Sequence, residues 1–213
     1  MSSDTEVTTE TKPAETKPAE TKPAAKPAAK PAAKPAAKPA AKPAAKPAEL
    51  PAFEKSISDK IVEKFGDKIE VEFVKENRVG IKVNRDDIHD VAEFIRDGLN
   101  YDHVESVSGV DYPQDKEIEV VYHIGSYSDS SLAKQLLVLA TRAQREENPI
   151  PGKDATKLPT LRDIFYSVEF HEREVFEMFG VYFTGHPDNR RLLLPEDWAD
   201  LPPLRKDFAI KGR

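Results

Sequence analysis

The alternation of apolar and polar positions after residue 50 predicts a mixture of helices and strands. Between residues 53 and 65 a large apolar side chain recurs at every fourth position, which is typical of a helix with one apolar stripe. Segments 69–74 and 79–83 alternate between apolar and polar residues around a short polar turn, which predicts a β-hairpin. The same test predicts a second helix over 86–99, with Gly98 near its end, and further strands over 104–110 and 118–124.

The most densely charged stretch of the chain runs from His171 to Phe183 and is expected to form a helix ending at Gly180. Glu174 and Glu177 share one face of this helix, with Arg173 nearby. The opposite face carries an apolar stripe at helical spacing, made of Val175, Met178 and Phe179. One face can therefore dock against apolar surface while the other binds ions. We expect the helix to begin at Thr160, directly after Pro159.

Beyond Gly180 the helical and strand periods both disappear. Residues 185–188 form a turn signal, and the remaining segment contains Trp198 and many charged residues. The buried partners of this segment must therefore lie elsewhere on this chain or on another chain. We divide the chain into an extension over 1–50, an α+β domain over 51–180 and an extended C-terminal tail over 181–213.

The first fifty residues carry a strict repeat of lysine, proline and alanine. They hold nine of the 18 prolines, and proline in every fourth position forbids an α-helix. We expect a solvated, disordered spacer of polyproline type. The alternative is a basic tether to nucleic acid or an anionic membrane. Single lysines diluted by alanine and glutamate favour the spacer.

Composition limits the function of the remaining residues. Nine of the 32 basic and six of the 38 acidic residues lie in the first fifty positions, so residues 51–213 carry a net charge of −9. An acidic body argues against nucleic acid as the main partner. The chain has no cysteine, which excludes disulfides and thiolate ligands for iron–sulfur clusters. No apolar run approaches the length of a membrane span.

Few motifs in the sequence point to catalysis. The nine glycines include no G-x-G pair, so neither a dinucleotide fingerprint nor a phosphate loop is present. One grouping resembles a metal site with two histidines and a carboxylate, namely His171, Glu174 and His186. Because Arg173, Arg190 and Arg191 are close in sequence, ion pairs explain these acids better than metal ligation does.

The charged stretch and the tail together resemble a known signature. In order along the chain, the residues concerned are Glu172-Arg173-Glu174, Glu177, Met178-Phe179, His186, Arg190 and Leu192-Leu193. Their order and spacing resemble the signature of the C subunit of the complex I type NADH-quinone oxidoreductases, also called the 30 kDa subunit. Two later segments, Glu196-Asp197-Trp198 and Pro203–Phe208, resemble the family's D-D-W and P-L-R-K-D-[FY]. A weaker likeness extends back through 106–113 to about residue 53.

The resemblance implies a non-catalytic, cofactor-free component of the peripheral arm, on the cytoplasmic face of the cell membrane. Its expected partners are the D subunit foremost, and the B and I subunits. Iron–sulfur clusters and flavin would be carried by partner subunits. The implied role is to position the quinone-site subunits for electron transfer coupled to proton translocation.

The resemblance also favours an interface role for the charged group and the tail. By sequence alone, Glu172-Arg173-Glu174 would be a solvated helix face. The family likeness instead favours a desolvated network between chains, packed with arginines such as Arg190 and Arg191. The expected interface residues are Glu172, Arg173, Glu174, Glu177, His186, Arg190, Arg191, Leu192, Leu193, Trp198, Leu204, Arg205, Lys206 and Asp207.

The segment from Ser131 to Arg145 is ambiguous between helix and strand. Its residue types favour a helix, whereas the family resemblance favours a strand, which we adopt. The fold is then an α+β two-layer sandwich, with one mixed β-sheet, helices packed on it and an extended C-terminal tail.

Other hypotheses remain open at this point. Val168-Glu169-Phe170 stands where the family commonly has a tryptophan, and Asp200-Leu201-Pro202 replaces a turn that contains glycine, which indicates a divergent branch. Related complexes oxidise reduced coenzyme F420 or ferredoxin, so this chain could serve such a complex. Alternatives from other classes are a free-standing metal-dependent hydrolase using His171, Glu174 and His186, and an interaction module tethered through residues 1–50.

Overall fold

The computed structural model of the protein describes residues 51–150 and 152–210, so the prediction for the extension over 1–50 lies outside the described residues. Two short 3₁₀ helices occupy Gly66–Lys68 and Ser130–Leu132. The helices are α1 (Ala52–Phe65), α2 (Ile88–Leu99) and α3 (Val168–Phe179). The strands are β1 (Ile69–Lys75), β2 (Arg78–Val83), β3 (His103–Tyr112), β4 (Glu117–Gly125), β5 (Leu136–Gln144), β6 (Lys157–Pro159) and β7 (Tyr182–Thr184).

Five strands form one mixed sheet in the order β1-β2-β5-β4-β3. The β1–β2 and β3–β4 pairs are antiparallel hairpins, and β4 also runs antiparallel to β5. Strands β2 and β5 are parallel, with Ile81 opposite Leu139. Strands β6 and β7 form a separate parallel pair. The predicted α+β fold with one mixed sheet is confirmed.

The core lies between one face of the sheet and the three helices. Because side chains alternate along a strand, Ile81 of β2, Leu139 of β5 and Tyr122 of β4 share that face through their pairing. All three are fully buried and join one apolar cluster with residues of the helices, including Ile61 of α1 and Val168 of α3. The two-layer arrangement follows from this single shared core.

Strand β5 resolves the ambiguous segment in favour of the strand. Leu137 and Leu139 face the helices, while Val138 and Ala140 on the other face are also buried, at 6% and 3% exposure. A strand buried on both faces loses the alternation that normally identifies it. Its leucines then fit a helical pattern equally well.

The predicted start of the charged helix is wrong. Helix α3 begins at Val168, not at Thr160, because Thr160 is held in a loop by a hydrogen bond from its amide to the carbonyl of Thr184. Helix α2 ends at Leu99 as predicted, and the next residue, Asn100, adopts the left-handed conformation with φ of 60°. Gly98, near this end, leaves space for the ring of Phe94.

After β7 the described chain contains no further helix or strand, yet it contacts the sheet and α3 repeatedly. The amide of Leu204 donates to the carbonyl of Met178 at 3.0 Å. The amide of Lys206 donates to the carboxylate of Asp111 at 2.8 Å. Residues far apart in sequence thereby fix the path of this segment. None of the helices in the described part of the chain is long and apolar enough to cross a membrane.

Gly180 ends α3 in a conformation that an alanine would disturb twice. Its φ is +81°, and a Cβ added there would lie 2.9 Å from Cγ of Pro149. We expect Gly180→Ala to lower the free energy of unfolding by about 2–4 kcal/mol, from backbone strain and overpacking together. Urea unfolding measures this loss.

Gly185→Ala is the matched control for that substitution. Gly185 has a similar φ of +86°, but its nearest neighbour, Cγ2 of Thr160, is 3.4 Å away. Its loss should be about 1 kcal/mol, from the backbone conformation alone. Equal losses for the two variants would show that the contact with Pro149 has no energetic effect.

Candidate functional site

Glu172 is fully buried where α3 meets β4 and the loop after β6. Its carboxylate accepts hydrogen bonds from the hydroxyl of Tyr122 at 3.1 Å, the hydroxyl of Thr160 at 2.5 Å and the amide of Leu161 at 2.9 Å. Nε2 of His186 is 3.9 Å from the same carboxylate. That nitrogen, however, donates a hydrogen bond to the carbonyl of Glu169 at 3.1 Å, while Nδ1 accepts one from the amide of Asp188. Glu172 thus holds three segments together through neutral donors.

Burial raises the pKa of Glu172 to about 7, because the charged form loses its hydration. The hydrogen bonds from Leu161, Thr160 and Tyr122 oppose this shift, and the charge of Asp163 adds to it. Glu172 is therefore expected to titrate near neutral pH although its side chain is fully buried.

Glu177 is the second buried carboxylate of α3, with 4% exposure. It accepts hydrogen bonds from three consecutive amides, those of Leu192, Leu193 and Leu194, at 2.9–3.0 Å. Backbone amides bonded to a carboxylate form charge-assisted bonds, which are stronger than neutral ones. Glu177 therefore fixes the backbone of the three leucines against α3.

The three arginines of the signature bind backbone carbonyls and Asp188. Arg173 donates to the carbonyls of Arg190 and Arg191 at 3.0 and 2.9 Å. Arg190 is exposed and pairs with Asp188 at 2.8 Å. Arg191 donates to the carbonyls of Pro195, Glu196 and Trp198 at 2.8–3.0 Å. Within the described residues, Glu172 is enclosed by hydroxyl and amide donors and does not pair with Arg190 or Arg191. Glu174 is exposed, and its part in a network between chains stays a prediction.

A second buried charged cluster anchors the end of the tail to the sheet. Asp111 accepts hydrogen bonds from Arg145 at 2.6 Å and from the amide of Lys206 at 2.8 Å. Arg145 also pairs with Asp207 at 2.8 Å. Burial acts to raise the pKa of Asp111, but the bonds from Arg145 and the Lys206 amide outweigh it and hold that pKa below its usual value. The carboxylate is therefore charged and paired, and it links residues 95 positions apart.

Arg205 and Trp198 complete the tail. Arg205 is 2% exposed and donates through Nε to the carbonyl of Phe179 at 2.6 Å and through Nη1 to the carbonyl of Glu146. The indole nitrogen of Trp198 donates to the carbonyl of Leu201 at 3.1 Å, and its ring lies 6.0 Å from that of Phe208. Both side chains are therefore held within this chain.

The hypothetical metal site is not assembled. His186 lies buried beside Glu172, whereas Glu174 is exposed on the surface of α3. Among residues 51–150 and 152–210, no three His, Cys, Asp or Glu side chains are grouped so that they could hold a metal ion. The hypothesis of a metal-dependent hydrolase using His171, Glu174 and His186 is therefore wrong.

Seven of the fourteen predicted interface residues form two contrasting sets. Glu172, Glu177, His186 and Arg205 are buried inside the chain. Leu192, Leu193 and Leu204 are 41%, 62% and 55% exposed, although they are large and apolar. The buried set therefore holds the backbone in place, and the exposed set is available to a partner.

Sequence reasoning missed four residues of these clusters: Tyr122, Thr160, Asp111 and Arg145. Asp111 falls in the 106–113 segment of weaker family likeness, which was the one signal for it. Nothing in the local pattern distinguishes Tyr122 from other strand residues.

Phe170 is a further exposed apolar residue of α3, at 59%, with the Arg173 guanidinium 5.9 Å from its ring.

The chain is similar to several known proteins. The family described as the respiratory-chain NADH dehydrogenase 30 kDa subunit matches residues 81–213. The C subunit of the F(420)H(2) dehydrogenase of Methanosarcina mazei is 36% identical over 131 residues, covering 62% of this chain and 75% of that protein. The C subunit of the NADH-quinone oxidoreductase of Chlorobium phaeobacteroides is 35% identical over 156 residues, covering 72% of this chain and 87% of that protein.

A solved structure also resembles the chain. A chain in the structure of the membrane-bound sulfane sulfur reductase, an archaeal respiratory membrane complex, matches with a TM-score of 0.59 and 30% identity. The match covers 74% of this chain and 86% of that one. This protein belongs to the 30 kDa subunit family of the respiratory-chain NADH dehydrogenases.

Glu172→Gln tests the buried carboxyl. The pKa of Glu172 is raised from 4.5 to about 7 on folding, so the folded state binds this proton more tightly than the unfolded state does. The protonated carboxyl therefore stabilises the fold fully below pH 4.5, and this stabilisation is lost as pH rises through 7. The variant should not show this loss of stability. Relative to the wild type, its free energy of unfolding should rise by up to about 3 kcal/mol between pH 4.5 and pH 8. Chemical unfolding across that range measures the difference.

Glu174→Gln is the control, because Glu174 lies on the same helix but is exposed. It should follow the wild-type pH dependence. A parallel pH dependence for Glu172→Gln and the wild type would contradict the assignment of the titration to Glu172.

Glu177→Gln tests the bonds to the leucine backbone. Removing the charge weakens three amide hydrogen bonds at once, so stability should fall by about 2–3 kcal/mol. Hydrogen exchange of the amides of Leu192, Leu193 and Leu194 should accelerate more than that of the α3 amides. Unchanged exchange at these three positions would show that the leucine segment is held by other contacts.

Proposed function

We propose that this chain is a structural component of the peripheral arm of a complex I type NADH-quinone oxidoreductase. In this role it carries no cofactor and catalyses no step. It positions the quinone-site subunits for electron transfer coupled to proton translocation. The observation that supports this most directly is a set of large apolar side chains exposed on a backbone that buried charges hold in place: Leu192, Leu193 and Leu204.

The energetics of these leucines favour a partner surface. An exposed leucine gains about 1.5–3 kcal/mol when it is fully buried, so burial of these three by a partner would provide a substantial driving force for association. Their backbone is already fixed by Glu177 and by the carbonyl of Met178, so little conformational entropy is lost on binding. A preorganised apolar surface suits a stable contact between two chains of one complex.

We infer that the D subunit is the foremost partner, with the B and I subunits nearby. Iron–sulfur clusters and flavin belong to partner subunits in this proposal. The chain then lies at the cytoplasmic face of the cell membrane and is held there through its partners. Nucleic acid is not a partner, because residues 51–213 carry a net charge of −9.

A second candidate keeps the structural role but changes the electron donor. The similarity to the C subunit of an F(420)H(2) dehydrogenase favours a complex that oxidises reduced coenzyme F420. A complex that oxidises ferredoxin is the other form of this candidate. Purification of the tagged chain from mildly solubilised membranes, followed by assay with each donor, distinguishes the candidates. Recovery of the chain alone, without other subunits, would contradict both.

Leu204→Asp tests the proposed contact surface. A carboxylate buried unpaired in an interface costs several kcal/mol, so recovery of partner subunits with the tagged chain should fall at least about tenfold. The thermal stability of the isolated chain should stay within about 2 °C, because Leu204 is 55% exposed.

Val62→Asp on α1 is the matched control, since Val62 is 42% exposed and lies outside the proposed surface. It should assemble like the wild type. Equal recovery of partners with both variants would remove Leu204 from the interface.

A further inference from the structure

Strand β3 lies at one edge of the five-stranded sheet, where among the described strands it pairs with β4 alone. Alternate residues of an edge strand direct their amides and carbonyls away from the sheet, where another strand can bind them. One of these groups is bonded within the described chain, because the hydroxyl of Ser167 accepts a hydrogen bond from the amide of Val104 at 3.1 Å. The outer backbone groups from Ser106 to Val110 have no partner in the part of the chain that the structure describes.

The opposite edge of the sheet, β1, is protected in ways that this stretch of β3 is not. Strand β1 carries three charged residues and a register shift, and both features discourage another strand from pairing. Strand β3 also has a register shift, but it lies before Ser106. The stretch 106–110 contains no charged residue and no proline. It is therefore the edge at which a further strand can pair without obstruction.

A groove of about 250 Å³ lies beside this open edge, where β3, α3 and the tail meet. A Cβ on Gly109 would lie 2.5 Å from the ring of Phe179, so the ring packs directly against the bare backbone of β3. A strand added at the edge would direct every second side chain toward the groove. The apolar residues of the groove are Val107, Val175, Met178, Phe179 and Leu204.

Glu174 lines the same groove and is exposed. The other three glutamates of α3, Glu169, Glu172 and Glu177, are all bonded by other segments. The carboxylate of Glu174 has no ion-pair or hydrogen-bond partner among the described residues. An apolar groove with one free carboxylate at its border fits a segment that carries both an apolar side chain and a cation. A second copy of this chain, paired through the same edge, would bring another carboxylate, and like charges repel.

We propose that the open edge of β3 receives an extended segment of a partner subunit, which pairs with residues 106–110 as a further strand of the sheet. The segment carries a large apolar residue, which packs in the groove against Met178 and Leu204. Two positions away it carries a lysine or arginine, which pairs with Glu174, because residues two apart share one face of a strand. This inference rests on the proposed function, since the occupant is a subunit of the same complex. Backbone hydrogen bonds then add affinity to the apolar contact at Leu204.

Hydrogen exchange tests the strand pairing in the isolated full-length chain and in the purified complex. About half of the amides of an edge strand point outward, so the peptide that covers 106–110 should retain about two more amide hydrogens after assembly. The peptide that covers β1 is the control and should exchange equally in both samples. Equal exchange of the β3 peptide in both samples would overturn the proposal. Protection that rises with the concentration of the isolated chain would also overturn it, because a second copy would then be the occupant.

Glu174→Lys tests the ion pair. When the tagged variant and the untagged wild type are produced together, the variant's share of the assembled complex should fall at least about fivefold, because its lysine would face the partner's cation. Glu93→Lys is the matched control, since Glu93 is an exposed acid of α2 that does not line the groove, and it should assemble like the wild type. Both isolated variants should unfold within about 2 °C of the wild type.

The outcomes separate this inference from the proposed function. Equal shares of the two variants in the complex would remove Glu174 from the contact and overturn the proposed chemistry of the segment. Recovery of partner subunits without any new protection of β3 would refute this inference alone. Failure to recover any partner subunit would refute the proposed function.

Discussion

Two buried carboxylates on one helix determine how the rest of this structure is held together. Glu172 and Glu177 are both inside the chain, and each accepts three hydrogen bonds from other segments. Five of these six donors belong to loops that have no strand or helix to satisfy their polar groups. Buried donors without acceptors are costly, so the loops depend on α3 for their conformation. The charged residues of the signature therefore stabilise the fold of this chain itself.

This dependence explains how an irregular tail can present a defined surface. Glu177 fixes the leucine backbone near the start of the tail, and Asp111 fixes its end through Lys206 and Arg145. Between these points Arg191 binds three carbonyls. Apolar side chains such as Leu193 and Leu204 remain exposed on this fixed frame. Preorganisation of this kind lowers the entropic cost of association.

Much of the fold could be predicted from local pattern, but the site depends on distant pairings. The spacing of Ile57 and Ile61 predicts α1 because each turn repeats the same contact with the core. The start of α3 could not be predicted in this way, because Thr160 is committed to Thr184 and Glu172, which act across the fold. The arginine partners expected for the glutamates were implied by the family resemblance. The sequence could not reveal that a tyrosine of β4 reaches Glu172, because no local period encodes that contact.

Buried charges preorganise the tail before any partner binds. The decisive measurement is hydrogen exchange at the amides of Leu192, Leu193 and Leu194, in the isolated wild-type chain and again in the purified complex. We expect these amides to be protected already in the isolated chain and their exchange rates to change only slightly on assembly. Rapid exchange in the isolated chain, with protection appearing only in the complex, would show that the partner and not the buried charges orders the tail.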